Sequence, residues 1–322
     1  MTDWQDTGLP PVPLPDRLRS WMMRWLPRSR HRMRQLRLAR VWQALVDYCG
    51  RGRRPLRVRL HGFPALLNPG NPYPFILAEN PGFNEPLVQL VRQVHRHLGR
   101  PLVVIDVGAS IGNTALLLAA ECGEALGRLH CLEGDADFLA YLQHNTARLA
   151  RVTVYHAMLA RAVGVTRALQ HHHPGTAGAT GDRDAPATTL DHLMLAAESR
   201  FDVLKSDIDG SDGEALAGAA QLLARDHPAV IFEWHPFLIR EAGHAPETAF
   251  STLCAAGYRT FLWFTNQGNF SHFSAGEPAE VEKWNRALLA LRPYGDPHFD
   301  VIALPESLSA LELPLATFGV AT

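Results

Sequence analysis

Two short stretches concentrate the side chains able to do chemistry. "KSDIDGSD" carries Lys205, Asp207, Asp209 and Asp212, and "FEWH" carries Glu233 and His235. Carboxylates and imidazoles are the groups that general-base catalysis draws on. An attacking hydroxyl must lose its proton, so this set suits transfer of a group to an alcohol. Asp209 or His235 is the candidate base, with Glu233 beside them. Other roles compete. Asp209 precedes Gly210, and Asp-Gly favours turns. His235 precedes Pro236 and marks a strand end, and Glu233 could pair with Lys205. Asp207, Asp209, Asp212 and Glu233 are also hard oxygen ligands of the kind Mg2+ takes, although their spacing matches no recognised metal loop. The run His171, His172, His173 reads as a solvated loop rather than a zinc site.

A second set lies in "VVIDVGASIGNTALLLAA", residues 103–120. An apolar run meets Asp106. A turn with Gly108, Ser110, Gly112 and Asn113 follows, and then an alanine- and leucine-rich helix. Glycine lets the backbone approach a ligand, and the helix N-terminus offers free N–H groups. Three ligands compete for such a turn. A dinucleotide turn needs G-x-G-x-x-G, but position 110 is serine; a P-loop needs G-K-[ST], which is absent. No Y-x-x-x-K pair exists to supply the acid of a short-chain dehydrogenase. S-adenosylmethionine fits better, because it needs a short turn and an acid for its ribose diol at the end of the second strand. Glu133, in "LHCLEGDADF", holds that place. Its other reading is a charge at the N-terminus of the next helix. Asp207 is assigned to the methionine end of this cofactor.

These residues need a frame. Apolar runs predict strands at 102–107, 128–133, 152–158, 201–207 and 229–234, and helices at 113–122, 136–149, 190–198 and 212–225. Strand–helix alternation implies a doubly wound parallel sheet, whose ligands lie at the carboxyl ends of strands. "YRTFLWFT" and "FDVIALP" are expected to close it as an antiparallel pair, with helices near 246–256 and 279–291. "NEPLVQLVRQVHRHLG" predicts a helix ending at Gly99, and "LRVRLHG" a β-hairpin. Ser211 and Glu214 form an S-x-x-E capping box. Residues 171–187 read as a long polar loop. The fold class is therefore α/β: a Rossmann-like, mostly parallel sheet with an antiparallel closing strand.

The whole chain has 322 residues and a formal net charge of −1, but residues 1–60 hold fourteen arginines against four aspartates. They form an arginine-rich N-terminal helical extension, with the catalytic domain at 61–322. Leu18, Trp21, Met22, Trp25 and Leu26 make one apolar helix face. Three readings of this extension compete: a cap packed on the catalytic domain, an amphipathic surface for an anionic membrane, and nucleic-acid binding, which no recognised module supports. Cys49, Cys122, Cys131 and Cys254 form no CxxC pair, in keeping with a reduced compartment. No apolar window spans a membrane and no signal pattern leads the chain. A cytoplasmic protein, peripheral at the inner membrane if the extension binds lipid, is expected.

Four blocks in order, "IDVGASIGNTA", "CLEGDADFLAYLQHN", "LDHLMLAAESRFDVLKSDIDGSDGEALAGA" and "HPAVIFEWHPFLIREAG…LCAAGYRTFLWFTNQGNF", resemble the FkbM family of SAM-dependent methyltransferases over roughly residues 100–270. The resemblance implies the class I methyltransferase variety of the sheet and O-methylation of a sugar, glycan or secondary-metabolite hydroxyl. Where many members carry K-x-D-x-E-G-A-E, this chain has Lys205, Asp207, Asp209, Gly210, Ser211 and Asp212, a D-x-D-G-x-D variant. Two other functions stand beside this one: a non-catalytic binding protein that kept the fold, and a nicotinamide oxidoreductase that lacks its expected motifs.

Overall fold

The computed structural model describes residues 55–80, 82–173, 175–198, 200–315, and Leu18, Trp21, Met22 and Phe318. The remainder of the arginine-rich extension, with the Trp25–Leu26 part of its apolar face, lies outside the described residues. Leu18, Trp21 and Met22 are helical, and Met22 packs against the hairpin cluster below.

Strands β1 (Leu56–Leu60) and β2 (Phe63–Leu67) pair antiparallel. His61 and Gly62 turn between them at φ 48° and 86°, the left-handed pair that matches hairpin twist. The expected hairpin is there, and residues 60 and 61 both belong to it. Helices α1 (Tyr73–Glu79) and α2 (Glu85–Leu98) follow. Then come β3 (Leu102–Val107), α3 (Asn113–Glu121), β4 (Leu126–Glu133), α4 (Ala136–Thr146) and β5 (Val152–His156). Four short strands, β6 (Gly164–Arg167), β7 (Gln170–His173), β8 (Thr176–Gly178) and β9 (Asp184–Ala187), replace the loop expected at 171–187. They pair only with one another, so no core-facing period marks them in the sequence.

Helix α5 (Leu190–Met194), β10 (Val203–Ser206), α6 (Asp212–Ala217), α7 (Ala220–Asp226) and β11 (Ala229–Trp234) complete the parallel part. The helix expected at 212–225 breaks at Gly218, where an added Cβ would meet Ala160 O at 2.3 Å. The capping box does not form: Ser211 makes no side-chain cap, and Glu214 is drawn to Arg161. Last are α8 (Pro236–Glu241), α9 (Thr248–Ala255), β12 (Thr260–Thr265), β13 (Phe270–Ser274), α10 (Pro278–Leu291) and β14 (Phe299–Leu304).

One sheet of eight strands has the order β13-β12-β14-β11-β10-β3-β4-β5. From β11 to β5 the pairs are parallel, and β14 lies antiparallel between β11 and β12. This is the expected Rossmann-like α/β arrangement, mostly parallel with an antiparallel closing strand. Apolar side chains cover both faces. Ile105, Leu204, Phe232 and Trp263 face one layer, and Val104, Val203, Ile231 and Leu262 the other. Burial on both faces explains why these strands read as continuous apolar runs. The chain runs outward from β3 to β5 and returns to β10 on the other flank of β3, so a crevice opens above β3 and β10. No helix among the described residues is long and apolar enough to cross a membrane.

Candidate active site

The glycine turn closes β3. Gly108, Ser110 and Gly112 all take positive φ, at 72°, 48° and 85°. A Cβ on Gly108 would stand 1.9 Å from Asp207 O, so only glycine lets the two strand ends meet. Gly112 caps α3 without a side-chain cap, leaving that helix's N–H groups open. Glu133 ends β4. Its carboxylate accepts the N–H of Ser110 and of Asp135, each at 2.7 Å, and burial pushes it up to about 7. Asp135 caps α4 through Asp137 N and Phe138 N, so the capping role considered for Glu133 belongs to Asp135. Gly134 leaves room for Met158 and Leu169, which would stand 3.1 and 3.2 Å from an added Cβ.

Lys205 lies beneath the turn. Its Nζ donates to Val107 O and Gly108 O at 3.2 and 3.1 Å and pairs with Asp106 at 2.9 Å and Asp207 at 3.7 Å. Burial opposes its charge, but Asp106, Asp207 and Asp212 hold the ammonium above its ordinary pKa. Lysine therefore pairs with these acids and not with Glu233. Asp106 is fully buried and, with Gly112, stands behind the wall of the cleft. Gly108, Ser110, Asn113, Glu133, Asp207, Asp209, Glu233 and His235 all line it.

β10 ends at Ser206, and Asp209 turns to φ 50°, so strand alternation does not relate Asp207 to Asp209. A left-handed residue at the Asp-Gly turn aims Asp209 instead, and the Ala177 N–H reaches its carboxylate. Burial, then Asp207 and Asp212, raises Asp209 to about 7. Asp212 faces inward, accepting Ser206 Oγ at 2.6 Å and Ile208 N at 3.2 Å. Burial pushes Glu233 well above the carboxylate range, with Asp207 and Asp209 adding to it. Beside Glu233 in the sheet, Asp300 is pushed up to about 7 by burial. Among the described residues, Asp207, Asp209, Asp212 and Glu233 do not bring three ligand atoms to one point, and Asp212 is tied to its own loop.

Three further residues that line the cleft, Arg292, Asp296 and His298, belong to no motif of the sequence. His235 Nε2 lies 3.0 Å from Asp296 Oδ1, and Leu238 N donates to His235 Nδ1 at 3.4 Å. The ring of His298 stacks on that of His235, centroids 4.8 Å apart at 18°. Its Nδ1 is 3.0 Å from Asp296 O, and its Nε2 is 3.5 Å from Glu233 Oε1. The Arg292 guanidinium binds Asp296 and lies 4.3 Å from the centre of the Phe237 ring. His235, Asp296 and His298 come within 4.8 Å of one another, but stacked rings cannot both aim a lone pair at one ion, and Arg292 already neutralises Asp296. The group is a hydrogen-bonded network and not a metal centre.

These walls enclose a cleft of about 1390 Å³. That exceeds the ~300–1,000 Å³ of ordinary small-molecule pockets, enough for two ligands side by side. The β1–β2 side and α1 contribute Asn71 and Tyr73, the β6–β9 insertion contributes Leu169 and Ala177, and the β12–β13 turn contributes Asn266 and Gln267.

No match was found among curated protein sequences. The chain is similar to the crystal structure of methyltransferase FkbM from Methylobacillus flagellatus KT. There the identity is 16% and the TM-score 0.40, over 63% of this chain and 44% of that one. It thus spans less than half of that protein's length. A SAM-dependent methyltransferase from Aquifex aeolicus shows 14% identity and TM-score 0.33, over 69% and 94% of the two chains. N-methyltransferase NodS from Bradyrhizobium japonicum WM9 shows 13% and 0.36, over 71% and 99%. Residues 106–260 match the model of the methyltransferase FkbM domain, a span that runs from Asp106 through the glycine turn, Glu133, Asp207, Asp209, Glu233 and His235. Over residues 106–260 the chain therefore carries a stretch that matches the methyltransferase FkbM domain.

Proposed function

We propose that the protein methylates a hydroxyl of a small-molecule or glycan acceptor at the expense of S-adenosylmethionine. One observation carries the cofactor half. The Glu133 carboxylate is buried, held by two backbone N–H groups and still lines the cleft beside the glycine turn. A fixed carboxylate is the acceptor that a ribose diol needs. The open N-terminus of α3 suits a carboxylate, and the apolar wall of Met158 and Leu169 suits an aromatic base. Asp207 and Asp209 place negative charge where a sulfonium and an ammonium would bind. S-adenosylmethionine supplies an already activated methyl group, so the chain's task is to align the acceptor and take its proton. The acceptor half of the cleft, lined by Phe237, Asn266 and Arg292, offers amide and aromatic groups suited to a polar, hydroxylated molecule.

A melting experiment tests this reading. S-adenosylmethionine or S-adenosylhomocysteine at about 100 times its Kd should stabilise the fold by about 2.7 kcal/mol, or roughly 4–5 °C for a chain of this size. NADH should not. A shift with NADH and none with S-adenosylhomocysteine would refute the proposal.

A further inference from the structure

We infer that His298 Nε2 is the atom that takes the acceptor's hydroxyl proton, and that His235 and Asp296 are positioning residues that keep it unprotonated. The inference rests on the methyl-transfer reading and adds its base. Partners that can play only one role fix the tautomers. The Leu238 N–H can only donate, so His235 Nδ1 accepts it at 3.4 Å. The proton of His235 is therefore on Nε2, which donates to Asp296 Oδ1 at 3.0 Å. The backbone carbonyl of Asp296 can only accept. It takes Asn266 Nδ2 at 3.2 Å and His298 Nδ1–H at 3.0 Å. His298 thus keeps a bare Nε2.

Of the two histidines that line the cleft, His235 has both nitrogens hydrogen-bonded, while His298 Nε2 makes no hydrogen bond among the described residues. That nitrogen stands 3.5 Å from Glu233 Oε1, at the tip of β11. Burial, then the neighbouring His235, lowers His298 to about 4, so the ring is neutral at pH 7. The groups facing it are His235, Asp296, Glu233 and Asp207, with Arg292 reaching it through Asp296. A cation bound against Asp207 and Asp209 favours the ionised form of the nearby acids. A Glu233 carboxylate then stabilises the imidazolium. In the step itself the O–CH3 bond forms as the S–CH3 bond breaks, and sulfur keeps the electron pair. The hydroxyl proton passes to His298 Nε2 and from there to solvent.

The first test needs no acceptor. In protein labelled with 15N-histidine and saturated with S-adenosylhomocysteine, two-bond 1H–15N spectra at pH 7 should show His298 protonated at Nδ1 and bare at Nε2. Loss of its signals in His298→Gln assigns them. A proton on Nε2, or a charged ring, overturns the proposal. In His235→Asn the His298 ring loses the neighbour that disfavours its charge, so its titration should move to higher pH, which a purely structural role for His235 would not produce. The second test follows tritiated methyl transfer from S-adenosylmethionine to molar glycerol. His298→Ala should slow it about 10²–10⁴-fold, with affinity for S-adenosylhomocysteine within about threefold of wild type. An unchanged rate overturns the base. Failure of wild type to bind S-adenosylhomocysteine would instead overturn the methyltransferase reading.

Discussion

Glu133 shows how one carboxylate can be legible in a sequence while its neighbours are not. An apolar strand, a glycine turn and an acid closing the next apolar strand are together enough to place it beside the turn, where it lines the cleft and the N–H groups of Ser110 and Asp135 hold it. Glu133→Gln removes a charged acceptor, worth about 1.5–3 kcal/mol, so calorimetry should find S-adenosylhomocysteine bound roughly 10- to 150-fold more weakly. The same carboxyl gives the affinity a pH dependence. Burial holds it at about 7 in the free protein, and the diol needs the ionised form. Affinity should fall as pH drops below about 7, by up to about tenfold per unit, and Glu133→Gln should flatten that slope. A wild-type affinity that is constant from pH 7.5 to 5.5 would count against the ribose role. His298 carried no comparable signal, because a histidine after Asp-Pro at the start of a strand reads as loop chemistry.

The element that hid His298 is β14. In a parallel sheet the ligand edge is at the carboxyl ends of strands, and the strand ends legible in the sequence carry Asp207, Glu233 and His235. β14 runs antiparallel to β11, so its start, not its end, reaches that edge. Asp296 and His298 therefore join the site from the residues that precede the strand. The regular part of the fold was legible because double-faced burial leaves unbroken apolar runs, and β3 and β11 begin and end where those runs do. The insertion β6–β9 was not, since its strands bury no common face. Local hydrogen bonding also overrode local pattern at α6. Ser211 does not cap it, and Asp212 instead ties Ser206 and Ile208 to the helix start. That tie holds a buried charge, and burial pushes Asp212 from 3.8 to about 7. At about 1.4 kcal/mol per pKa unit, the ionised form costs roughly 4 kcal/mol. In Asp212→Asn one oxygen can keep both hydrogen bonds, while an unpartnered amide costs about 1–3 kcal/mol. The variant should melt a few degrees higher than wild type at pH 8 and show no gain at pH 5. A lower melting temperature at pH 8 would show that the charge itself is needed for the fold.

At the scale of the molecule, the crevice edge of the sheet stores acids that the fold disfavours as anions. Glu133, Asp209, Asp212 and Asp300 all stand near 7, against ordinary values of 4.5 for Glu and 3.8 for Asp. Each binds more protons folded than unfolded between those values and about 7. Stability from these groups is therefore highest at low pH and is lost as pH rises through about 7. Buried histidines work the other way. His130, His235, His244 and His298 have lowered values, so their contribution is lost as pH falls below about 6.5. From pH 6.5 to 8 each carboxyl loses on the order of 1 kcal/mol, while each of these histidines regains only about 0.4 kcal/mol as the unfolded imidazole sheds its last half proton, so the melting temperature of the free protein should fall by about a degree or two. S-adenosylmethionine carries a sulfonium and S-adenosylhomocysteine does not. The stabilisation by the former should consequently grow relative to the latter over the same range, as the acids around Asp207 ionise opposite a cation. Differential scanning calorimetry at pH 6.5 and 8, free and with each compound, checks both effects. A melting temperature that rises from pH 6.5 to 8 in the free protein would mean that these carboxyls are ionised without penalty, and the acidic edge would then be a solvated surface rather than a site waiting for positive charge.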